Sequence, residues 1–457
     1  MKSTTLLLAS LIRTVRFNKT GGALLAEHYQ ISEFSSFITG HTADGYITLP
    51  ERTFQSLQRF LLENKGKKDA LEFMSISARR GLGTVITAQN YVGLIAMQDG
   101  STIEILPKIY SGTTDPDGSF SRKILLDMLK TLPDTPFKSI QSSSMQTAKM
   151  PLLEIFIRRF LDELLSIVKH GLRCNYDRVE SNETFCKGQL VFSEHIRHNF
   201  AHQERNYIRY DLFNSNCPEN RILKATLQIL YRRSSSARNR RDMKVLLSFF
   251  ENIPASIHYD RDFSDCSNGR DVRGYNTALS WARVFLTGKS FTAYAGSDIA
   301  LALLYPMEIL FERYIARRIK QQLDPFQYSI SIQETGHYLF EQPEKRFSLR
   351  PDIVIRRHCD NAVFILDTKW KLLSQGKPNY GISQSDMYQM YAYQKKYSAV
   401  CVTLIYPQPD QIPTSSPIFY KSKGDAQVTV NFIKLTDAEN SITALLHSLE
   451  QIHLHLS

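Results

Sequence analysis

In the stretch LRPDIVIRRHCDNAVFILDTKWK, residues 349–371, two acids and a lysine interrupt otherwise apolar runs. Two carboxylates converging beside a buried lysine repel each other and resist burial, so such a set needs a compensating charge. A divalent cation supplies it. Mg²⁺ takes one or two carboxylates, keeps several waters and binds phosphate oxygens. A lysine is no ligand here, but it can orient or help deprotonate an attacking water and stabilise developing negative charge. Asp352 and Asp367 are therefore the candidate ligands of Mg²⁺. With Lys369 they form the candidate catalytic set for metal-assisted hydrolysis of a phosphodiester. For any single pair, a salt bridge between Lys369 and one acid on an exposed strand is the plainer reading.

The elements that must position these groups follow from the flanking pattern. Residues 351–356 and 362–369 are rich in Val, Ile, Leu and Phe and read as two buried strands around a turn at 358–361. Side chains alternate along a strand, so Asp367 and Lys369 share a face. A turn at Cys359-Asp360 sets Asp352 opposite Asp367, whereas a turn at Asp360-Asn361 sets it opposite Lys369. Either register gathers all three on one face. A three-residue loop moves Asp352 to the other face, so the grouping depends on an even loop.

RPD, 14 residues and then DTK resembles the PD-(D/E)xK nuclease signature. The surrounding order fits as well: a helix from Tyr305 to Lys320, a strand at Tyr328–Gln333, the hairpin, a helix from about Ser383 to Tyr397, and a strand at Ala399–Tyr406. That order, αβββαβ, is the one the resemblance implies. In SQSDMYQMYAYQKKY, Gln389 and Tyr393 lie one turn apart and share a face. They resemble the Gln-x-x-x-Tyr element of one nuclease branch, and an ordinary amphipathic helix is the alternative. In MEILFERYIARRI, Glu308 and Glu312 are also one turn apart, a like-charge placement unfavourable on a bare helix. The nuclease core commonly takes a third acid from this helix, and Glu312 is the choice. Glu312, Gln389 and Tyr393 are thus the supporting residues.

Composition bounds the rest. A chain of 457 residues with 42% hydrophobic content can build two or three domains with proper cores. TLLLASLI near the start is too short to span a bilayer, and no other run approaches that length, so no membrane association is expected. Six cysteines without a C-x-x-C pair argue against a zinc module and fit reduced thiols in a cytoplasm. The net charge of +11 draws the chain to polyanions. The densest basic cluster, YRRSSSARNRRDMK at 231–244, reads as a loop between helices, either a phosphate contact or, the preferred reading, a solvated linker. LTGKSF at 286–291 lacks the earlier glycine of a phosphate loop, that position being Arg283, so no nucleotide is expected on this chain. EHIRHNFAH spaces His198 and His202 one turn apart without a metalloprotease glutamate, and these read as ordinary polar residues.

The expected class is a multidomain α+β protein. Residues 1–118 form a β-rich amino-terminal domain, 119–300 a mixed and largely helical middle region, and 301–457 the αβββαβ nuclease domain. GTTDPDGS at 112–119 marks the clearest boundary. PENRILKATLQILYRR begins a helix at Pro218.

IEILPKI (103–109), YDRVESNETFCKGQLVFSEHIRHNF (176–200), YDLFNSNCPENRILKATLQIL (210–230) and YPMEILFERYI (305–315) together resemble the McrC family. This family supplies the nuclease subunit of McrBC modification-dependent restriction systems. The resemblance implies a Mg²⁺-dependent endonuclease acting on modified, methylated double-stranded DNA. Its implied partner is a McrB-like AAA+ GTPase ring, in which the amino-terminal part docks and whose GTP hydrolysis it stimulates. Cutting both strands takes two active sites and hence pairing of two nuclease domains. A non-cutting regulatory subunit and a structural DNA-binding protein are the alternatives, and neither gives the paired acids and lysine a purpose.

Overall fold

The structure is a computed structural model that describes residues 27–40, 42–63, 73–97, 99–109, 115, 117–133, 135–139, 149–266, 274–287, 299–409, 417–422 and 427–454. TLLLASLI, the GKSF of LTGKSF, and half of GTTDPDGS lie outside the described residues. The chain is a mixed, multidomain α+β protein that divides into two compact units, Met1–Leu152 with Ser290–Ser457, and Leu153–Lys289.

The first unit opens with β1 (His28–Ser32), β2 (Ser36–Ile38), β3 (Tyr46–Thr48), α1 (Glu51–Glu63), β4 (Met74–Arg79), β5 (Gly83–Ala88), β6 (Tyr91–Met97), β7 (Thr102–Leu106) and α2 (Ser119–Leu129). Strands β3, β2, β5 and β4 form one sheet. Helix α1 buries Phe54, Leu57, Phe60 and Leu61, a three-and-four spacing that turns one stripe inward. That stripe packs with Phe37, Ile86, Ile95 and Ile103 in a shared core. Each such side chain stabilises the fold by roughly 1.5–3 kcal/mol on burial.

The second unit contains α3 (Leu152–His170), β8 (Asn175–Glu183), β9 (Gln189–Leu190), α4 (Phe192–Asn199), β10 (Asn206–Asn214), α5 (Pro218–Arg233), α6 (Ala237–Phe249), α7 (Tyr259–Asp265) and α8 (Asn276–Thr287). Among the described residues its strands order as β8-β10-β9, and Phe156, Phe160, Trp281 and Phe285 pack in its interior. Helix α5 does begin at Pro218. The Arg-rich segment is not the expected loop: Arg232 and Arg233 end α5, and Arg238, Arg240 and Arg241 lie in α6. Only Ser234–Ser236 joins the helices, and it is tied to the buried Glu154. The Glu154 carboxylate accepts hydrogen bonds from the Ser234 hydroxyl, the Ser235 amide and hydroxyl, the Ser236 amide and the Asn239 side chain. A serine run reads as solvated until a buried acceptor elsewhere in the chain claims its donors.

The first unit resumes with β11 (Ile299–Pro306), which pairs antiparallel with β6 and completes a sheet ordered β1-β7-β6-β11. Gly93 sits at this pairing with φ +135°, and a Cβ there would lie 1.9 Å from the Leu303 carbonyl oxygen. Only glycine allows the two strands this approach. Residues 299–306 thus belong to the amino-terminal sheet, and the boundaries expected after 118 and 300 fall inside one unit. The helix expected from Tyr305 starts at Met307, because Tyr305 and Pro306 finish the strand.

Next come α9 (Met307–Gln322), β12 (Tyr328–Ile332), the small ribbon β13 (His337–Phe340) and β14 (Arg346–Leu349), β15 (Ile353–Arg357), β16 (Val363–Thr368), α10 (Gln384–Tyr397), β17 (Cys401–Pro407), β18 (Ile418–Lys421), β19 (Gln427–Ile433) and α11 (Ala438–Leu454). The main sheet runs β12-β15-β16-β17-β19-β18. Strands β16 and β17 are parallel and almost wholly buried, as continuous apolar runs require, and α10 makes the crossover between them. The expected order of helix, three strands, helix and strand is present, with the β13–β14 ribbon added before β15.

Candidate active site

The hairpin register is resolved by its pairs: Ile353 faces Leu366, Val354 faces Ile365, Ile355 faces Phe364 and Arg356 faces Val363. Continued by one residue, that stagger sets Asp352 opposite Asp367, the first of the two registers open from sequence. The ladder extends one step further, the Arg357 amide donating to the Ala362 carbonyl at 3.0 Å, which leaves an even loop at residues 358–361. Asp360 organises it by pairing with Arg357 at 2.6 Å and accepting the Ala362 amide at 3.2 Å. Asn361 takes the left-handed conformation with φ 57°, which asparagine tolerates better than most residues.

Asp367 is the last residue but one of β16 and is 1% exposed. Its Oδ2 lies 2.6 Å from Lys369 Nζ. The contact is a close charge pair between a buried acid and the ammonium. Burial raises the Asp367 carboxyl above its ordinary range, and the Asp352 charge adds to the shift. Asp352 is raised as well, chiefly by burial, although its Oδ2 accepts the Thr368 amide and hydroxyl, each at 2.7 Å. The two carboxylates feel one another.

Burial works to lower the Lys369 ammonium, but the charges of Asp367, Asp352 and Asp386 outweigh it and hold its pKa above the ordinary value. Lys369 is therefore a cation at neutral pH. Its backbone amide donates to the Ile405 carbonyl at 2.9 Å, extending the β16–β17 ladder by one residue. Its Nζ also reaches Gln389 Oε1 at 3.4 Å, and Gln389 Nε2 donates to the Tyr393 hydroxyl at 2.7 Å. Gln389 and Tyr393 thus lean over the hairpin from α10, with Tyr393 buried.

Helix α9 buries Met307, Leu310, Phe311, Tyr314, Ile315 and Ile319, and Glu312 lies on that inward side while Glu308 is exposed. Burial pushes Glu312 up to about 7, and the Asp352 charge contributes. Glu312 accepts from Gln333 Nε2 at 2.8 Å, and Gln333 in turn accepts from the Arg350 guanidinium. The Gln333 amide donates to the Asp352 carbonyl at 2.8 Å.

Sequence reasoning missed Thr368, Gln333, Arg350 and Asp386. Thr368 stands at the open position between acid and lysine, so its pattern gives no reason to single it out. Asp386 lies one turn before Gln389, and that i, i+3 spacing was the available signal. Gln333 lies just beyond β12 with φ 49°, a conformation the sequence does not announce.

The donor set suits a hard divalent cation in part. Asp367 is a buried carboxylate with the Lys369 cation on one side and the Asp352 charge close by, an arrangement that a further cation would help neutralise. Among the described residues no three His, Cys, Asp or Glu side chains form a ready metal cage. Two carboxylates completed by water and substrate oxygens is the arrangement Mg²⁺ accepts.

A family profile described as McrBC 5-methylcytosine restriction system component matches residues 86–407. The chain belongs to this family. The McrBC match takes in the β6–β7 region, the second unit and the hairpin through β17. A solved McrBC assembly has a similar fold: the half-complex of Thermococcus gammatolerans McrB AAA+ hexamers with bound McrC, at 18% identity and a TM-score of 0.67. That likeness covers 92% of this chain and all of the other. The T. gammatolerans McrBC complex is also similar, at 19% identity over 65% of this chain and 88% of the other, with a TM-score of 0.48. No curated protein matches the chain. Among the described residues no helix is long and apolar enough to cross a membrane.

Proposed function

We propose that this McrBC-family chain is the cutting subunit of its restriction system, a PD-(D/E)xK endonuclease that hydrolyses phosphodiester bonds of methylated DNA. The observation that carries the reading is the grouping of the buried Asp367, Asp352 and the Lys369 cation at the end of a buried hairpin. Asp352 and Asp367 would hold Mg²⁺, which when bound supplies a Lewis acid and a template for the phosphate.

The chain's own groups do the rest. Lys369, kept protonated by three acids, orients the attacking water and stabilises charge developing on the phosphate oxygens. Gln389 and Tyr393 restrain the lysine from above, and Thr368 fixes Asp352 through two hydrogen bonds. Glu312, through Gln333, steadies the backbone at Asp352.

The partner is a McrB-like AAA+ GTPase ring whose GTP hydrolysis this chain stimulates. The fold shared with McrC bound to McrB hexamers and the family membership support that pairing. The test is reconstitution. DNA containing 5-methylcytosine is cut when this chain, the GTPase, GTP and Mg²⁺ are all present, and unmodified DNA is spared. Stimulated GTP hydrolysis without cutting under every condition makes the chain a regulatory subunit instead.

A further inference from the structure

Trp370 follows the catalytic lysine, and its indole points away from the site to an acid far back in the chain. Its Nε1 donates to both carboxylate oxygens of Glu33, at 3.2 and 3.0 Å. Glu33 is 0% exposed and lies just beyond β1. Its amide donates to the Leu106 carbonyl at 3.0 Å, and its Oε1 accepts the Lys108 amide at 3.0 Å, just beyond β7. Both of these fix Glu33 to the neighbouring ends of two paired strands.

The other side of the indole is held too. Phe311 of α9 meets the Trp370 ring edge to face, with centroids 5.3 Å apart. Phe311 immediately precedes Glu312. Lys369 itself has little backbone support beyond its amide bond to Ile405, because the chain turns at once, the Lys371 amide donating to the Lys369 carbonyl at 3.0 Å. The lysine therefore stands just past a strand end, and Trp370 is the next side chain along the backbone that is held in place.

We propose that Glu33 is a positioning residue for the cutting site: by clamping Trp370 against Phe311 it fixes where the Lys369 ammonium stands relative to Asp367. The proposal rests on the nuclease reading above. It makes the amino-terminal sheet part of the machinery that sets the catalytic lysine, although Glu33 touches no substrate. Burial pushes Glu33 up to about 7, so a buried acid is kept where only an acceptor for two N–H groups is required. Glutamine at this position retains a carbonyl acceptor and alanine retains none.

The experiment compares wild type, Glu33→Ala, Glu33→Gln, Trp370→Phe and the Glu33→Ala/Trp370→Phe double variant in the full reconstituted complex, with Asp367→Asn as the inactive control. Displacing a reacting group by about 1 Å costs on the order of 100-fold in rate. Glu33→Ala and Trp370→Phe are expected to lower the single-turnover cutting rate by about 10- to 100-fold, with DNA affinity unchanged. Glu33→Gln is expected to restore most of the rate, and the double variant to be no slower than either single one. The chain holds two tryptophans, so 5-fluorotryptophan labelling gives two ¹⁹F resonances in the intact protein. The Trp370 resonance should move in Glu33→Ala and stay near its wild-type position in Glu33→Gln. A Glu33→Ala variant that is folded and cuts at the wild-type rate overturns the positioning role alone. A slow Glu33→Gln with an unmoved resonance, or losses that add in the double variant, overturns it as well. A wild type that does not cut overturns the nuclease reading and this role with it.

Discussion

Lys369 Nζ stands 2.6 Å from Asp367 Oδ2, and the lysine also reaches Gln389 on the crossover helix. The ammonium is thus held between the strand that carries the acid and the helix that covers it. Lys369→Met keeps much of the side-chain volume and removes the charge. The expected result is a loss of about 100- to 1,000-fold in the cutting rate, the usual effect of deleting one electrostatic stabiliser. DNA affinity, measured by binding at fixed salt, should change little. Full activity in Lys369→Met would remove the lysine from the mechanism.

The Asp352 charge raises Asp367 in a site that also disfavours charge by burial. Neutralising one of them relieves that repulsion. Asp367→Asn should therefore be more stable than wild type by on the order of 1 kcal/mol in metal-free buffer. Adding millimolar Mg²⁺ should raise the melting temperature of wild type and leave the variant unmoved, because only a bound ion stabilises the folded state. Equal Mg²⁺ responses would place the ion elsewhere.

Much of this site was legible because its signals are local. The strand runs, the two-residue spacing of Asp367 and Lys369 and the one-turn spacing of Gln389 and Tyr393 are all short-range patterns, and the hairpin and α10 reproduce them. Sequence left two registers open because both give an even loop, and the choice rests on the whole ladder of pairs. Long-range pairings left no such trace. Nothing local announces that 299–306 joins a sheet begun near residue 28, that the serine run at 234–236 is claimed by Glu154, or that Trp370 answers to Glu33.

Glu33 gives a pH signature. In the unfolded chain its carboxyl ionises near 4.5, whereas burial holds it protonated up to about 7 in the fold, with the Lys108 and Trp370 contacts opposing that shift. Between those values the folded state binds more protons than the unfolded one. Its contribution to stability is full below about 4.5, falls as pH rises to about 7, and stays lost above. The span corresponds to on the order of 3 kcal/mol. Chemical denaturation at pH 5 and pH 8 should show wild type losing more stability than Glu33→Gln. Parallel losses would mean that Glu33 is ionised throughout.

In the second unit, Glu154 is 3% exposed and gathers five donors that end α5 and start α6. Glu154→Ala strands those donors and should cost on the order of 3 kcal/mol by chemical denaturation. Arg238→Ala, on an exposed position of α6, should cost under about 0.5 kcal/mol. Similar losses in the two variants would contradict the role given to the serine run.

The most direct measurement is single-turnover cutting of 5-methylcytosine-containing DNA by the reconstituted complex, with wild type and Asp367→Asn chains compared while GTP hydrolysis is followed in the same samples. The account predicts that the wild type cuts, that the variant cuts at least 1,000-fold more slowly, on the order of an essential acid–base or metal group, and that both stimulate GTP hydrolysis equally. A variant that cuts at the wild-type rate would contradict it.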